Sequence, residues 1–95
     1  MFVISLCYKK ELSEVDKYID AHVVFLEKYY ALGVFIASGK KVPRTGGVIL
    51  ANTVNKEEVN VILTEDPFYI ADVADYEVIE FEPTKFVDSF KPLIA

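Results

Sequence analysis

The stretch VFIASGKKVPRTGGVILANT, residues 34–53, decides the fold. Val34–Lys41 and Gly47–Thr53 read as strands, and Pro43-Arg44-Thr45-Gly46 between them is turn chemistry, so the stretch is a β-hairpin. Upstream, Phe2–Tyr8 has the length and apolar content of a strand, and residues 14–32 carry a helical apolar period. Downstream, a second helix opens at Asn55, and Tyr76–Glu82 is a fourth strand ended by Pro83. A hairpin flanked on each side by one strand and one helix gives the order βαββαβ. That is the ferredoxin-like split pair of βαβ units: an α+β fold, an antiparallel sheet with two helices on one face.

Local signals set the element ends. Ser13, with Asp16 three residues on, reads as the cap of the first helix, and Gly33 as its stop. Asn55 and Glu58 form a capping-box pattern for the second helix, which runs to about Thr64. Asp66-Pro67 marks the exit, because proline disfavours helix in the residue before it. Phe68–Ala74 has room for one irregular turn. The expectation is one domain over residues 1–95, with a core at 1–83 and a sparsely apolar tail at 84–95. No internal repeat, low-complexity tract or linker interrupts it.

Composition bounds the function. The net charge is −5, and an acidic chain without a basic stripe is a poor nucleic-acid binder, since phosphate neutralisation supplies most of that affinity. The same charge disfavours anionic membrane surfaces, and no apolar run is long enough to span a bilayer. The N-terminus lacks the pattern of a signal peptide. The single cysteine, Cys7, leaves no intrachain disulfide to form and fits a reducing compartment, so a cytoplasmic location is expected.

The sheet reads as apolar on both faces. Phe2, Ile4, Leu6 and Tyr8 line one side of the first strand, while Val3 and Cys7 keep the other mostly apolar. In the second strand Val34 and Ile36 point one way, Phe35 and Ala37 the other. A sheet with one wet face alternates apolar and polar. A chain this short that is 53% hydrophobic commonly covers its excess apolar surface by association. The expected partner is a second copy, in a two-fold homodimer through the helix-free sheet face.

His22, the only histidine, is the first candidate for chemistry. It shares one helix stripe with Val15, Tyr18, Ile19, Phe25, Leu26 and Tyr29, which should face the core. A neutral imidazole there needs a hydrogen-bond partner. A backbone carbonyl would make it a core histidine. A carboxylate would make a candidate acid/base device, and Asp66 is the best one available. Asp66 also has a plain reading, as an Asp before Pro whose side chain bonds nearby amides. Together they form a candidate His-Asp dyad, in which the carboxylate fixes the tautomer and the other ring nitrogen takes a proton from a ligand.

Ser38 and Gly39 are the candidate ligand-binding pair. Glycine inside a strand pattern signals a bulge or a close backbone approach, and Ser38 has a hydroxyl to offer; a small residue under a packed helix is the alternative. Lys40, Lys41 and Arg44 are the basic cluster, read either as the wet tip of the hairpin or as steering for a carboxylate ligand. Tyr8, Tyr29 and Tyr30 have hydroxyls for a pocket, though aromatic side chains serve cores and interfaces equally well. One His and one Cys make no ordinary zinc site, Gly46-Gly47 is a hairpin signal rather than a phosphate cradle, and the acidic residues at 75, 77, 80 and 82 read as a solvated edge. No metal and no cofactor are expected.

In order and spacing the chain resembles the YCII-related family of small bacterial proteins. The features that carry this are the first strand, the helix-one histidine in Asp20-Ala21-His22, Ser38-Gly39, the run Gly47–Asn52, Glu57-Glu58 and Asp66-Pro67-Phe68. A last strand ending at Glu82-Pro83 completes the set, and the match spans roughly residues 1–83. The resemblance implies a dimeric α/β barrel of ferredoxin-like subunits. It implies an active site on the histidine and aspartate, here His22 and Asp66, with the serine before glycine at Ser38. It also implies lyase- or isomerase-like reactions on small ring compounds. Two departures affect the pocket rim: Lys40 stands where members often have proline, and the hairpin loop is short. Substrate identity is therefore not carried over.

Three functions follow as expectations. The first is a small cofactor-independent enzyme in which His22 is the general base, Asp66 orients it, and Ser38 with nearby backbone N–H groups binds the developing oxyanion. The second is a non-catalytic module that binds a small ligand in the same pocket. The third is a haem- or quinone-handling monooxygenase of the same architecture, which absorbance of the purified protein would expose.

Overall fold

The computed structural model describes residues 1–94. Strand β1, Phe2–Tyr8, lies centrally in a four-stranded sheet of order β2-β3-β1-β4, with β2 at Phe35–Lys40, β3 at Gly46–Ala51 and β4 at Ala74–Glu80. All three pairings are antiparallel. Helices α1 (Leu12–Val15) and α2 (Ile19–Ala31) lie between β1 and β2, and α3 (Lys56–Leu63) and α4 (Pro67–Ile70) between β3 and β4. This is the expected ferredoxin-like α+β arrangement.

The core forms on one face of the sheet. Phe2, Ile4 and Leu6 of β1 and Ile49 and Ala51 of β3 are buried against Val15, Phe25, Tyr29, Val59, Leu63 and Phe68. Alternation along each strand sends these side chains to the same side. The opposite face carries Val3, Val48, Leu50 and Ile79, none of which joins that core.

The first helix is not one rod. Asp16–Tyr18 forms a 3-10 turn between α1 and α2, and Tyr18 sits at φ −112°, ψ 3°. The expected cap at Ser13 is not used. Glu11 occupies the N-cap without a side-chain bond, and its carbonyl accepts from Glu14 and Val15 N–H. The helix starts two residues before the expected position, and Val15 within it is fully buried.

Strand β2 departs from simple alternation. Phe35 pairs with Ala51 and Ala37 with Leu50, so Ile36 is the extra residue of a bulge. The bulge switches parity, putting Phe35 on the helix face and Ala37 on the other, not together as alternation predicts. Gly39 is in regular register with Val48, and a Cβ there would meet nothing within 4 Å. The close backbone approach is instead at Gly46, where a Cβ would lie 1.7 Å from the Leu6 carbonyl oxygen.

The second helix has the expected ends. Asn55 accepts from Glu58 N at 2.8 Å and the Glu58 side chain returns to Asn55 N, completing the capping box. Strand β4 begins two residues before the expected Tyr76, because Ala74 pairs with Tyr8. The tail holds a 3-10 segment, Asp88–Leu93, tethered where Asn52 donates to the Leu93 carbonyl at 2.7 Å. Ala95, the last residue of the expected tail, lies outside the described residues.

Candidate active site

The site begins with the sequence Asp66-Pro67-Phe68. Pro67 occupies the first position of α4, where its missing N–H costs nothing, and Asp66 is the N-cap. Asp66 Oδ1 accepts from the Phe68 N–H at 2.9 Å, so the plain turn reading of this residue holds. The same oxygen lies 2.8 Å from His22 Nδ1. Asp66 Oδ2 accepts from the Tyr76 hydroxyl at 2.6 Å. Asp66 is fully buried, and these three donors replace the water its carboxylate gives up.

His22 reaches this carboxylate from α2. A carboxylate acceptor at Nδ1 fixes the neutral ring as the tautomer with its proton there, leaving the Nε2 lone pair free. Nε2 makes no hydrogen bond among the described residues. The imidazole stacks on Phe68, with centroids 4.0 Å apart and planes inclined by 6°. Phe68 therefore holds one ring face while Asp66 holds one edge, and both come from the same capped turn.

Tyr76 was not among the residues singled out from sequence. Its phenol is pushed well above the ordinary tyrosine range, first by burial and then by the charge and hydrogen bond of Asp66. It stays neutral and donating. The available signal was periodicity: Tyr76 and Val78 alternate with Asp75 and Glu77, which marks the inward side of β4.

A cavity of about 320 Å³ opens beside His22, between α2 and the β2–β3 hairpin. Its walls are largely apolar, with Leu6, Ile19, Leu26, Ile49 and Phe68. Ser38 and Gly39 line it too, so the structure brings both to the same hollow as His22. The Ser38 Oγ accepts from the Tyr30 hydroxyl at 2.7 Å, which leaves its own O–H able to donate.

The remaining candidates separate. Tyr8, Lys40 and Arg44 line the cavity. Lys41 turns away, with Nζ 3.2 Å from the Cys7 sulfur. Tyr29 donates to Glu65, whose carboxyl is held below its usual range by Lys28 and by that same bond. Among the described residues no group of three or more His, Cys, Asp or Glu side chains is placed to hold a metal ion.

A family model of the YCII-related domain matches residues 1–82. No curated protein matches the chain. Among solved structures, the chain is similar to the 5-chloro-2-hydroxyhydroquinone dehydrochlorinase of Burkholderia phenoliruptrix, in its complex with 2,5-dihydroxybenzoquinone. The identity is 20%, the TM-score 0.73, and the match covers 85% of this chain and 92% of that one. At that identity the likeness is one of fold.

Proposed function

The chain belongs to the YCII-related family, and on that premise we propose that it is a small cofactor-independent enzyme of lyase or isomerase type acting on a small ring or carbonyl compound. The observation that carries the reading is the His22 Nδ1–Asp66 Oδ1 contact of 2.8 Å on the wall of an apolar cavity. His22 Nε2 takes a proton alpha to a carbonyl or from a phenol-like hydroxyl. Asp66 holds the tautomer and stabilises the imidazolium that forms. Ser38 O–H and nearby backbone N–H groups stabilise the negative charge left on the substrate oxygen.

A positioned base contributes roughly 10²–10⁴-fold, which suits proton transfer, isomerisation or elimination. Amide hydrolysis is a poor fit, for want of a nucleophile beside the imidazole. The structural neighbour, a dehydrochlorinase with a ring quinone bound, lends support to a lyase acting on a small ring.

The proposal includes a homodimer through the helix-free sheet face, a single domain with its core at residues 1–83 and tail at 84–95, and a cytoplasmic location. Support for the dimer is the apolar row Val3, Val48, Leu50 and Ile79 outside the core. The location rests on the lone thiol of Cys7, which fits a reducing compartment. No helix among the described residues is long and apolar enough to cross a membrane.

The test is calorimetry with a library of small ring acids, phenols and quinones, followed by turnover assays on the compounds that bind. His22→Gln should abolish turnover and leave ligand affinity within roughly tenfold. Asp66→Asn should lose less, since it perturbs tautomer and orientation without removing the base. Tight binding with no product from the wild-type protein favours a non-catalytic binding module. Unchanged turnover in His22→Gln rejects the mechanism.

A further inference from the structure

The chain carries 15 acidic and 10 basic side chains, yet the cavity beside His22 is lined by Lys40 and Arg44 and by no carboxylate. Arg44 is ion-paired with Asp16, so the unpaired positive charge on the cavity wall is that of Lys40. Ligand pockets are mostly apolar, with a few placed polar groups that orient the ligand, and two cations sharing a hollow with the His22 imidazole are groups of that kind.

The two cations differ in how they are held. Arg44 donates one N–H to Asp16 at 2.6 Å, and its guanidinium carbon lies 5.8 Å from the Tyr8 ring centroid. A guanidinium has five N–H donors, so one such bond fixes its place and leaves donors over. Lys40 makes no ion pair among the described residues. It lies two residues from Ser38 along β2, on the same side of the strand, where Ser38 pairs with Ile49 and Lys40 with Gly47. The proposed base and the cations thus line one small chamber together with apolar side chains. Its volume of about 320 Å³ is at the low end of the roughly 300–1,000 Å³ range of small-molecule pockets.

We infer that the ligand is a small planar ring acid, whose carboxylate lies against Lys40 and Arg44 while its reactive C–H or O–H faces His22 Nε2. The inference rests on the small-molecule site proposed above and adds the substrate's charge and its direction in the cavity. Lys40 and Arg44 are specificity residues here; the proton transfer itself belongs to His22.

The probe is a matched pair, salicylate and its neutral amide salicylamide, titrated into the full chain by calorimetry and by NMR. The acid should bind roughly tenfold more tightly than the amide, and that ratio should shrink as salt rises, since the attraction is between charges. Lys40→Gln and Arg44→Gln should each cut acid affinity by about three- to tenfold and leave the amide unchanged. Circular dichroism confirms that the variants fold, and Lys40→Arg should restore the preference. Equal affinity of the wild-type protein for acid and amide overturns the inference, as does a ratio untouched by either substitution. So does failure of a panel of ring carboxylates to bind at about 10 mM. The enzyme reading fails separately. An acid preference without turnover of any compound leaves this inference standing and removes that one. Turnover confined to neutral compounds does the reverse.

Discussion

Asp66 accepts three hydrogen bonds on two oxygens while fully buried, so it joins α2, α4 and β4 at one point. Asp66→Ala would strand the Phe68 N–H, the Tyr76 hydroxyl and His22 Nδ1 together. The expected loss is about 3–5 kcal/mol in urea unfolding, the range for breaking a buried charged network. Tyr76→Phe removes one bond to a charged acceptor and should cost about 1.5–3 kcal/mol. The phenol also sets a pH limit. Its folded pKa is raised, so the folded state keeps the proton past the pH of about 10 at which the unfolded chain releases it. The stability from this bond is full below about pH 10 and is lost as pH rises above it. In a phenolate-absorbance titration of the folded protein, Tyr76→Phe should leave the number of titrating tyrosines unchanged. A fall by one would show that Tyr76 ionises with the rest. His22 and Asp66 were legible as residues because each is conspicuous in its own element. Tyr76 was not, because its place on the inward side of β4 does not say that the Asp66 carboxylate lies over it in the helix layer.

At the scale of elements, the structure separates signals that carry a contact from those that only resemble one. Asn55 and Glu58 close a capping box because the residues before Lys56 are free to turn, and Asn55→Ala should cost about 1 kcal/mol in thermal unfolding. Ser13 has the same type of pattern and caps nothing, because the helix has already begun at Leu12 and Ser13 lies inside it. The glycines divide in the same way. Gly46→Ala forces a methyl against the Leu6 carbonyl, so β1 and β3 must part; the cost should reach the upper end of the about 1–3 kcal/mol typical of overpacking. Gly39→Ala meets open space and should leave the denaturation midpoint nearly unchanged. The order of strands and helices was readable because turns and apolar periods are local. The bulge at Ile36 was not, since it is a property of how β2 meets β3.

At the scale of the whole molecule, the sheet has two faces with different duties in the proposed function. The cavity lies on the helix side, and Val3, Val48, Leu50 and Ile79 remain on the other. A homodimer through that second face should bury more than about 2,000 Å² in total if it is obligate. Sedimentation at micromolar concentration should give twice the 10.8 kDa chain mass. Leu50→Glu places a charge in the middle of the apolar row and should shift the protein to monomer, with helix content by circular dichroism retained. A wild-type monomer would leave the apolar row without a partner and overturn the dimer.

The stacking of the sole imidazole on Phe68 gives the molecule a built-in reporter. Protons of a ring lying flat over an aromatic neighbour experience its ring current, and with one histidine in the chain no assignment problem arises. The two carbon-bound imidazole protons should resonate upfield of free histidine. The Nδ1 proton, shielded from water by a buried carboxylate, should exchange slowly enough to appear far downfield. Three signals in an unlabelled sample would then follow occupancy of the chamber, rotation of the ring and integrity of the Asp66 junction, each at a separate frequency.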